Sequence, residues 1–125
     1  MTNQECFEHD LEILNYGEWL KGELSGYCFA IVRTSLGHLC GYVKVSDYEN
    51  INFELGDIFI ECHGGITYDR SGEHYFSESG RYIGFDCAHA GDWLPDLNDG
   101  KYRDIAFVML EIRHIINQLE DLKNG

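Results

Sequence analysis

This chain is short of proline, of positive charge and of long apolar runs, and each shortage excludes a class of protein. Pro95 is the only proline in 125 residues, so the chain holds no proline-rich linker. The 22 Asp and Glu outnumber the nine Lys and Arg, and the net charge of −13 repels nucleic acid and anionic membranes. No apolar run approaches the roughly 20 residues that a membrane-spanning helix needs. We therefore expect a protein that binds neither nucleic acid nor membrane.

The cysteines show no pattern typical of a disulfide framework or a zinc site. They are odd in number and contain no Cys-x-x-Cys spacing: Cys6, Cys28, Cys40, Cys62 and Cys87. Cys62-His63 and Cys87-Ala88-His89 offer sulfur and imidazole, but not at the spacing of structural zinc sites. The first ten residues are polar and acidic, unlike a signal peptide. We expect reduced, packed thiols, a cytoplasmic location, and no metal or cofactor.

The apolar pattern predicts a single domain over residues 1–125, with a sheet in its first two thirds. Aromatic and β-branched runs predict strands at 27–33, 39–45, 57–62, 65–68 and 81–85, the first two joined as a hairpin. Residues 1–20 fit either a helix or a short strand, because periodicity does not separate the two in short apolar runs. Residues 69–80 and 95–100 are polar and predict exposed connections.

The apolar period changes to that of a helix after Asp104, a plausible N-cap. Apolar residues at three- and four-residue steps form one stripe: Ile105, Val108, Met109, Ile112, Ile115, Ile116, Leu119 and Leu122. Phe107 and Leu110 lie off this stripe, so we expect the helix to bury a second surface against another copy of the chain. The predicted fold class is α+β, an antiparallel β-sheet with a long C-terminal amphipathic helix.

Two glycine-containing segments carry the unusual chemistry of the chain. His63-Gly64-Gly65-Ile66-Thr67-Tyr68 follows one predicted strand, and Gly84-Phe85-Asp86-Cys87-Ala88-His89-Ala90-Gly91-Asp92 overlaps the end of another. Glycine permits positive φ and close backbone approach, at a cost to folding. Interleaving it with histidine, aspartate and aromatic residues predicts a pocket where backbone amides and polar side chains meet a ligand.

Three kinds of chemistry fit these segments. Cys87 paired with a histidine resembles a nucleophile, but the flanking Asp86 and Asp92 would raise the pKa of its thiol. Acid–base catalysis by His63, Asp86, His89 and Asp92 stays open. Phosphate binding is the third, because arginine pairs bidentately with phosphate oxygens and aromatic rings stack on bases. The residues for it are Arg81, Arg103 and Arg113, the Gly64 and Gly65 amides, and Tyr68, Tyr82, Phe85 and Trp93.

The same segments resemble blocks found in small phage and prophage proteins. The blocks are residues 37–43, 63–68 and 84–92, together with Tyr102-Arg103 and Gln118-Leu119, and they span most of the chain. On these blocks the chain is similar to the first type of phage Thoeris anti-defence protein. That resemblance implies a sponge, which binds and sequesters the cyclic ADP-ribose-type signal of TIR-domain enzymes without degrading it.

The resemblance also implies a β-sheet with C-terminal helices, homo-oligomers, and action in the cytoplasm of the infected bacterial host. The arginines would neutralise the pyrophosphate, Asp86 or Asp92 would accept ribose hydroxyls, and Phe85 would stack on the base. The expected ligand-binding residues are His63, Gly64, Gly65, Thr67, Tyr68, Arg81, Phe85, Asp86, His89, Asp92, Arg103 and Arg113. We expect no catalysis, but a nucleotide-cleaving enzyme and an acidic mimic of nucleic acid that inhibits a host protein remain alternatives.

Overall fold

The computed structural model describes residues 1–45, 59–97 and 99–124. Two helices and five strands occur in these residues. In chain order they are α1 (Asn3–Ile13), β1 (Trp19–Leu24), β2 (Tyr27–Arg33), β3 (Leu39–Lys44), β4 (Tyr68–Arg70), β5 (Tyr82–Asp86) and α2 (Ile105–Asn124). The predicted α+β class is therefore confirmed.

The five strands form one antiparallel sheet in the order β1-β2-β3-β5-β4. β1 and β2 are joined by the two-residue turn Ser25-Gly26, with φ of 53° and 84°. Positive φ at both residues fits a type I′ turn, whose twist matches that of the flanking strands. Insertion of β5 between β3 and β4 places the end of β5 beside the start of β3, with Asp86 opposite Cys40.

The predicted strands at 27–33, 39–45 and 81–85 are confirmed to within one residue as β2, β3 and β5. The strand predicted at 65–68 begins later, at Tyr68. The ambiguous N-terminal stretch forms the helix α1, and the strand β1 that follows it at Trp19–Leu24 was not predicted. α1 begins with a capping box in which Thr2 and Glu5 exchange side-chain and backbone hydrogen bonds, and this satisfies amides that the first turn leaves free.

The strand predicted at 57–62 is wrong over 59–62, while residues 57 and 58 lie outside the described part. The backbone of Glu61 pairs instead with a side chain of α2. Its N–H donates to Gln118 Oε1 at 2.7 Å, and its C=O accepts from Gln118 Nε2 at 2.7 Å. The amide group of Gln118 thus takes the place of a neighbouring strand, which satisfies the backbone without extending the sheet.

The two faces of the sheet have different covers. α2 packs on one face and buries most of the apolar stripe predicted for it, namely Val108, Ile112, Ile115, Ile116 and Leu119, while Leu122 is exposed. The 71–80 connection, predicted to be exposed, partly covers the other face, where Phe76 is buried against Tyr42 and Tyr82. The predicted N-cap is confirmed, because Asp104 Oδ1 accepts from the Phe107 amide at 2.7 Å. No helix in the described ranges is long and apolar enough to cross a membrane.

Candidate functional site

The two glycine-containing segments meet at the end of the sheet where β5 finishes beside β3. The Cys87 amide donates to Leu39 O at 3.0 Å and continues the β3–β5 pairing by one bond. The chain then turns, and residues 91–101 close on themselves through Lys101 N to Gly91 O at 2.8 Å and Trp93 N to Lys101 O at 2.9 Å. This closure returns the chain to Asp92 just before α2 begins.

Asp92 is the centre of the site. It is 5 % exposed, and its carboxylate accepts from His63 Nε2 at 2.8 Å, Arg103 Nε at 2.9 Å and the His89 amide at 3.0 Å. Burial alone would raise the pKa of this carboxyl, but the hydrogen bonds from His63, His89 and Arg103 outweigh burial and lower it. Asp92 is therefore ionised near neutral pH, and His63 carries a proton on Nε2.

The side chain of Arg103, just before α2 begins, is positioned by its own contacts and by those of Tyr102. The neighbouring Tyr102 is buried, where its Oη donates to Asp10 Oδ2 at 2.7 Å and accepts from Arg33 Nη1 at 2.9 Å. Arg103 uses Nε on Asp92 and places its guanidinium 5.0 Å from the Phe107 ring centroid. Its terminal nitrogens make no hydrogen bond within the described residues, and its side chain is 24 % exposed.

One face of α2 holds the His63 segment in place. The imidazole of His63 meets the Phe107 ring edge-on at 5.1 Å between centroids. The amide of His63 donates to Glu111 Oε1 at 2.7 Å. Together with Gln118 on Glu61, these residues form a series at four- and seven-residue spacing along one side of the helix, which suits contact with an extended segment. The pairing of loop and helix therefore fixes where His63 lies.

His89 lies across from His63, with ring centroids 5.9 Å apart. Its Nε2 is 3.3 Å from Asp86 Oδ1, and this buried nitrogen has no hydrogen-bond partner among the described residues. Asp86 also accepts from Thr67 Oγ1 at 3.0 Å. Gly64 has a φ of +71°, and a Cβ at this position would collide with the imidazole of His89. Only glycine combines that conformation with so close an approach.

Seven of the twelve predicted residues come together here: His63, Gly64, Thr67, Asp86, His89, Asp92 and Arg103. We call them the Asp92 cluster. Gly65 adjoins it, but its amide donates to Cys62 O at 3.0 Å, so this amide is already engaged within the turn.

The other four predicted residues lie elsewhere. Phe85 is 1 % exposed in the core under α2, which leaves no open ring face for stacking on a base. Arg81 is buried in a bidentate pair with Asp69, at 2.6 and 2.7 Å. Tyr68 faces the 71–80 connection, where its Oη lies 2.7 Å from His74 Nδ1. Arg113 is exposed on α2 beside Leu110.

Sequence patterns did not indicate His38, Phe107 or Glu111 as residues of the site. His38 directly precedes β3, and its Nδ1 lies 3.2 Å from Thr34 Oγ1. Burial lowers the pKa of His38, opposed by the charges of Asp86 and Asp92, which are close enough to act on it. The position of His38, directly before a strand whose start lies beside Asp86, could have indicated that it belongs to the site. That inference requires the β3–β5 register, which the sequence does not show.

The thiols near the cluster are poor nucleophiles. Cys87 is 2 % exposed, and burial, together with Asp92, raises the pKa of its thiol well above the ordinary range. Burial likewise raises the pKa of Cys62 to about 12. Both thiols are therefore protonated near neutral pH, and the thiol is far less reactive than the thiolate. In the described residues no group of three or more His, Cys, Asp or Glu side chains is placed to hold a metal ion.

Comparison with known proteins does not assign the chain to a family. No family model matches it, and neither the curated proteins nor the solved structures include a significant match.

Proposed function

We propose that this protein is a phage or prophage anti-defence protein that binds and sequesters a cyclic ADP-ribose-type or related cyclic nucleotide signal at the Asp92 cluster without degrading it. It would act in the cytoplasm of the infected bacterium and block TIR-based Thoeris immunity. The observation that carries the proposal is the convergence of the His63 imidazole and the Arg103 guanidinium on the buried carboxylate of Asp92, with the His89 imidazole beside Asp86 and nearby thiols that stay protonated. Binding a ligand requires these donors and acceptors, but no activated nucleophile.

The groups of the cluster suit the parts of such a ligand. The terminal nitrogens of Arg103, not engaged by described residues, supply donors for pyrophosphate oxygens. Asp86, 29 % exposed at its side chain, and the hydroxyl of Thr67 suit ribose hydroxyl groups. The other two predicted arginines lie outside the cluster, so the proposal assigns phosphate recognition to Arg103 rather than to Arg81 or Arg113.

Self-association is part of the proposal. Leu110 is 65 % exposed on α2, next to the partly buried Met109. An exposed leucine beside other apolar side chains is typical of a surface that a partner covers. This supports the expected homo-oligomer with α2 at or near the contact.

Thermal stabilisation followed by recovery of the ligand tests the proposal. A true ligand raises the melting temperature in step with RT ln(1 + [L]/Kd), and the probes are cyclic ADP-ribose isomers and cyclic oligonucleotides. After heat denaturation, mass spectrometry should return the ligand intact. Arg103→Gln should abolish the shift, while the matched control Arg113→Gln, an exposed arginine outside the cluster, should keep it. Absence of a shift with every nucleotide would overturn the proposal.

A specific contact favours a second candidate, an acid–base enzyme that cleaves a nucleotide. The carboxylate of Asp92 fixes the Nε2–H tautomer of His63, an arrangement that also orients a general base. A changed mass of the recovered ligand would select this candidate. In that case His63→Gln should remove turnover and retain binding.

A further inference from the structure

The strand β1 leaves a line of backbone groups without partners at one edge of the sheet. β2 is its only neighbour in the described part of the chain. Leu24 and Tyr27 flank the two-residue turn, so they form a hydrogen-bonded pair, and such pairs alternate along an antiparallel ladder. The N–H and C=O groups of Trp19, Lys21 and Glu23 therefore point away from β2. No described residue elsewhere accepts or donates a hydrogen bond to them.

The side chains of this edge are complementary to themselves. If a second β1 pairs antiparallel with the first about a two-fold axis at Gly22, Lys21 lies opposite the partner's Glu23, and Glu23 lies opposite the partner's Lys21. Both side chains are exposed and point to the same face. Opposite charges across such a pair stabilise it, and like charges destabilise it. A two-fold axis at Lys21 is disfavoured, because it would place the two lysines against each other.

The other face of the same strand offers apolar contact. Leu20 and Leu24 are half-buried there against the core under α2. Beside Leu24 runs an apolar groove of about 420 Å³, lined also by Ala106, Met109, Leu110 and Arg113. In the register centred on Gly22, Leu20 of the partner subunit lies opposite Leu24 and so at the open side of this groove.

We propose that β1 is the interface of a two-fold homodimer, centred on Gly22, with one continuous ten-stranded sheet. Both α2 helices then lie on the same face of this sheet, and their grooves flank the joint. Because both copies use the same patch, the contact joins two subunits and leaves no second β1 edge to add a third. Within the described ranges, the outer edges of the joined sheet are the short β4 strands. Charged residues on an edge strand ordinarily prevent association. Here Lys21 and Glu23 carry opposite charges, so a second copy in this register places each of them opposite its counter-charge. The proposal does not depend on the ligand.

Charge reversal tests the register. We expect Lys21→Glu and Glu23→Lys each to weaken the dimer by about tenfold or more, because each change sets two like-charge pairs against each other. The double variant with both changes should restore the dimer, since it restores both opposite-charge pairs. Glu23→Lys lowers the net negative charge of the chain, so a general charge effect would strengthen association instead. Sedimentation velocity over a range of concentrations measures the dissociation constant of each variant.

Amide hydrogen exchange on the unchanged protein gives a second measurement. The amides of Lys21 and Glu23 should exchange more slowly as concentration rises, while the amide of Trp19, which has no strand partner in this register, should not change. A protein that is monomeric at all concentrations would overturn the proposal. So would a dimer that the single changes leave intact, or one that the double change fails to restore.

Discussion

Asp92→Asn is the sharpest perturbation of the cluster, because it removes one charge and keeps the shape of the side chain. The carboxylate of Asp92 accepts three hydrogen bonds, two of them from side chains, His63 and Arg103. Asparagine offers one acceptor oxygen, and its NH2 group must face one of the donors. At least one hydrogen bond is lost, and the guanidinium of Arg103 loses its counter-charge.

The size of the effect follows from burial. Asp92 is 1 % exposed at its side chain, whereas His63 and Arg103 are 19 % and 24 % exposed and can turn to water in part. Hydrogen bonds to a charged group contribute about 1.5 to 3 kcal/mol each, and breaking a fully buried ion pair costs about 3 to 5 kcal/mol. With partial relief by solvent, we expect Asp92→Asn to lower the free energy of unfolding by about 2 to 4 kcal/mol. For a domain of this size that is a fall of about 8 to 15 °C in melting temperature.

Urea denaturation followed by circular dichroism and by tryptophan fluorescence, to which the buried Trp93 contributes, measures the loss. The matched control is Asp96→Asn, the same change at an exposed aspartate in the same loop, which should stay within about 0.5 kcal/mol of the unchanged protein. A loss below about 1 kcal/mol for Asp92→Asn would refute the reasoning, because the buried carboxylate would then carry no net stabilisation.

The pH dependence of stability provides a second test of the contribution of Asp92. The pKa of Asp92 is lowered on folding, so its contribution is fully present above the unfolded pKa of about 3.9 and is lost as pH falls through the folded value. The gap in stability between the two proteins should close below pH 4. His38, whose pKa burial lowers against the charges of Asp86 and Asp92, destabilises both proteins as pH falls below about 6.5. This loss is larger in Asp92→Asn, which lacks one of the two charges, so the gap should widen slightly below pH 6.5 before it closes.

Two further predictions use neighbouring positions as controls. Gly64→Ala should lower the free energy of unfolding by about 2 kcal/mol or more, because it adds a collision with His89 to the strain of positive φ. The control Gly65→Ala has a similar positive φ but open space around the added Cβ, and should cost about 1 kcal/mol. Equal losses of the two variants in urea denaturation would contradict the collision. Gln118→Ala should lower the free energy of unfolding by about 1 kcal/mol and speed amide exchange at Glu61, whose backbone the Gln118 side chain bonds. The exposed control Asn117→Ala should change neither. Unchanged exchange in Gln118→Ala would show that Gln118 does not hold the Glu61 backbone.

Most of the sheet and the last helix were predictable because their signals are local, whereas β1, which contains Gly22, was not predicted. Strand composition at 27–33 and the three- and four-residue period after Asp104 depend only on neighbours in sequence, and burial of one face follows from them. The run at 57–62 has the same composition, yet 59–62 lies along α2. Its backbone partner is the side chain of Gln118, 57 residues further on, which no local pattern reveals.

The candidate site was predictable in part. Histidine, aspartate and glycine crowd into two short segments, and that crowding correctly indicated which loops would meet. Composition does not show which way a side chain points, however. Phe85 lies on a strand covered by α2, so its ring points into the core, and Arg81 meets the carboxylate of Asp69 on the neighbouring strand. Both assignments require the order β3-β5-β4, which follows from the whole fold.

The charges of the Asp92 cluster and of the whole chain decide how ligand binding should respond to salt. Asp86 and Asp92 outnumber the single guanidinium of Arg103, and the chain carries a net charge of −13, so an anionic ligand is repelled at long range. Salt screens that repulsion beyond a Debye length of about 8 Å at physiological ionic strength, whereas the hydrogen bonds from Arg103 act at contact. The affinity for an anionic ligand should therefore rise as ionic strength increases from about 0.01 M to about 0.15 M. Isothermal titration calorimetry measures the affinity, and an affinity that falls over this range would show that attraction to Arg103 outweighs the long-range repulsion.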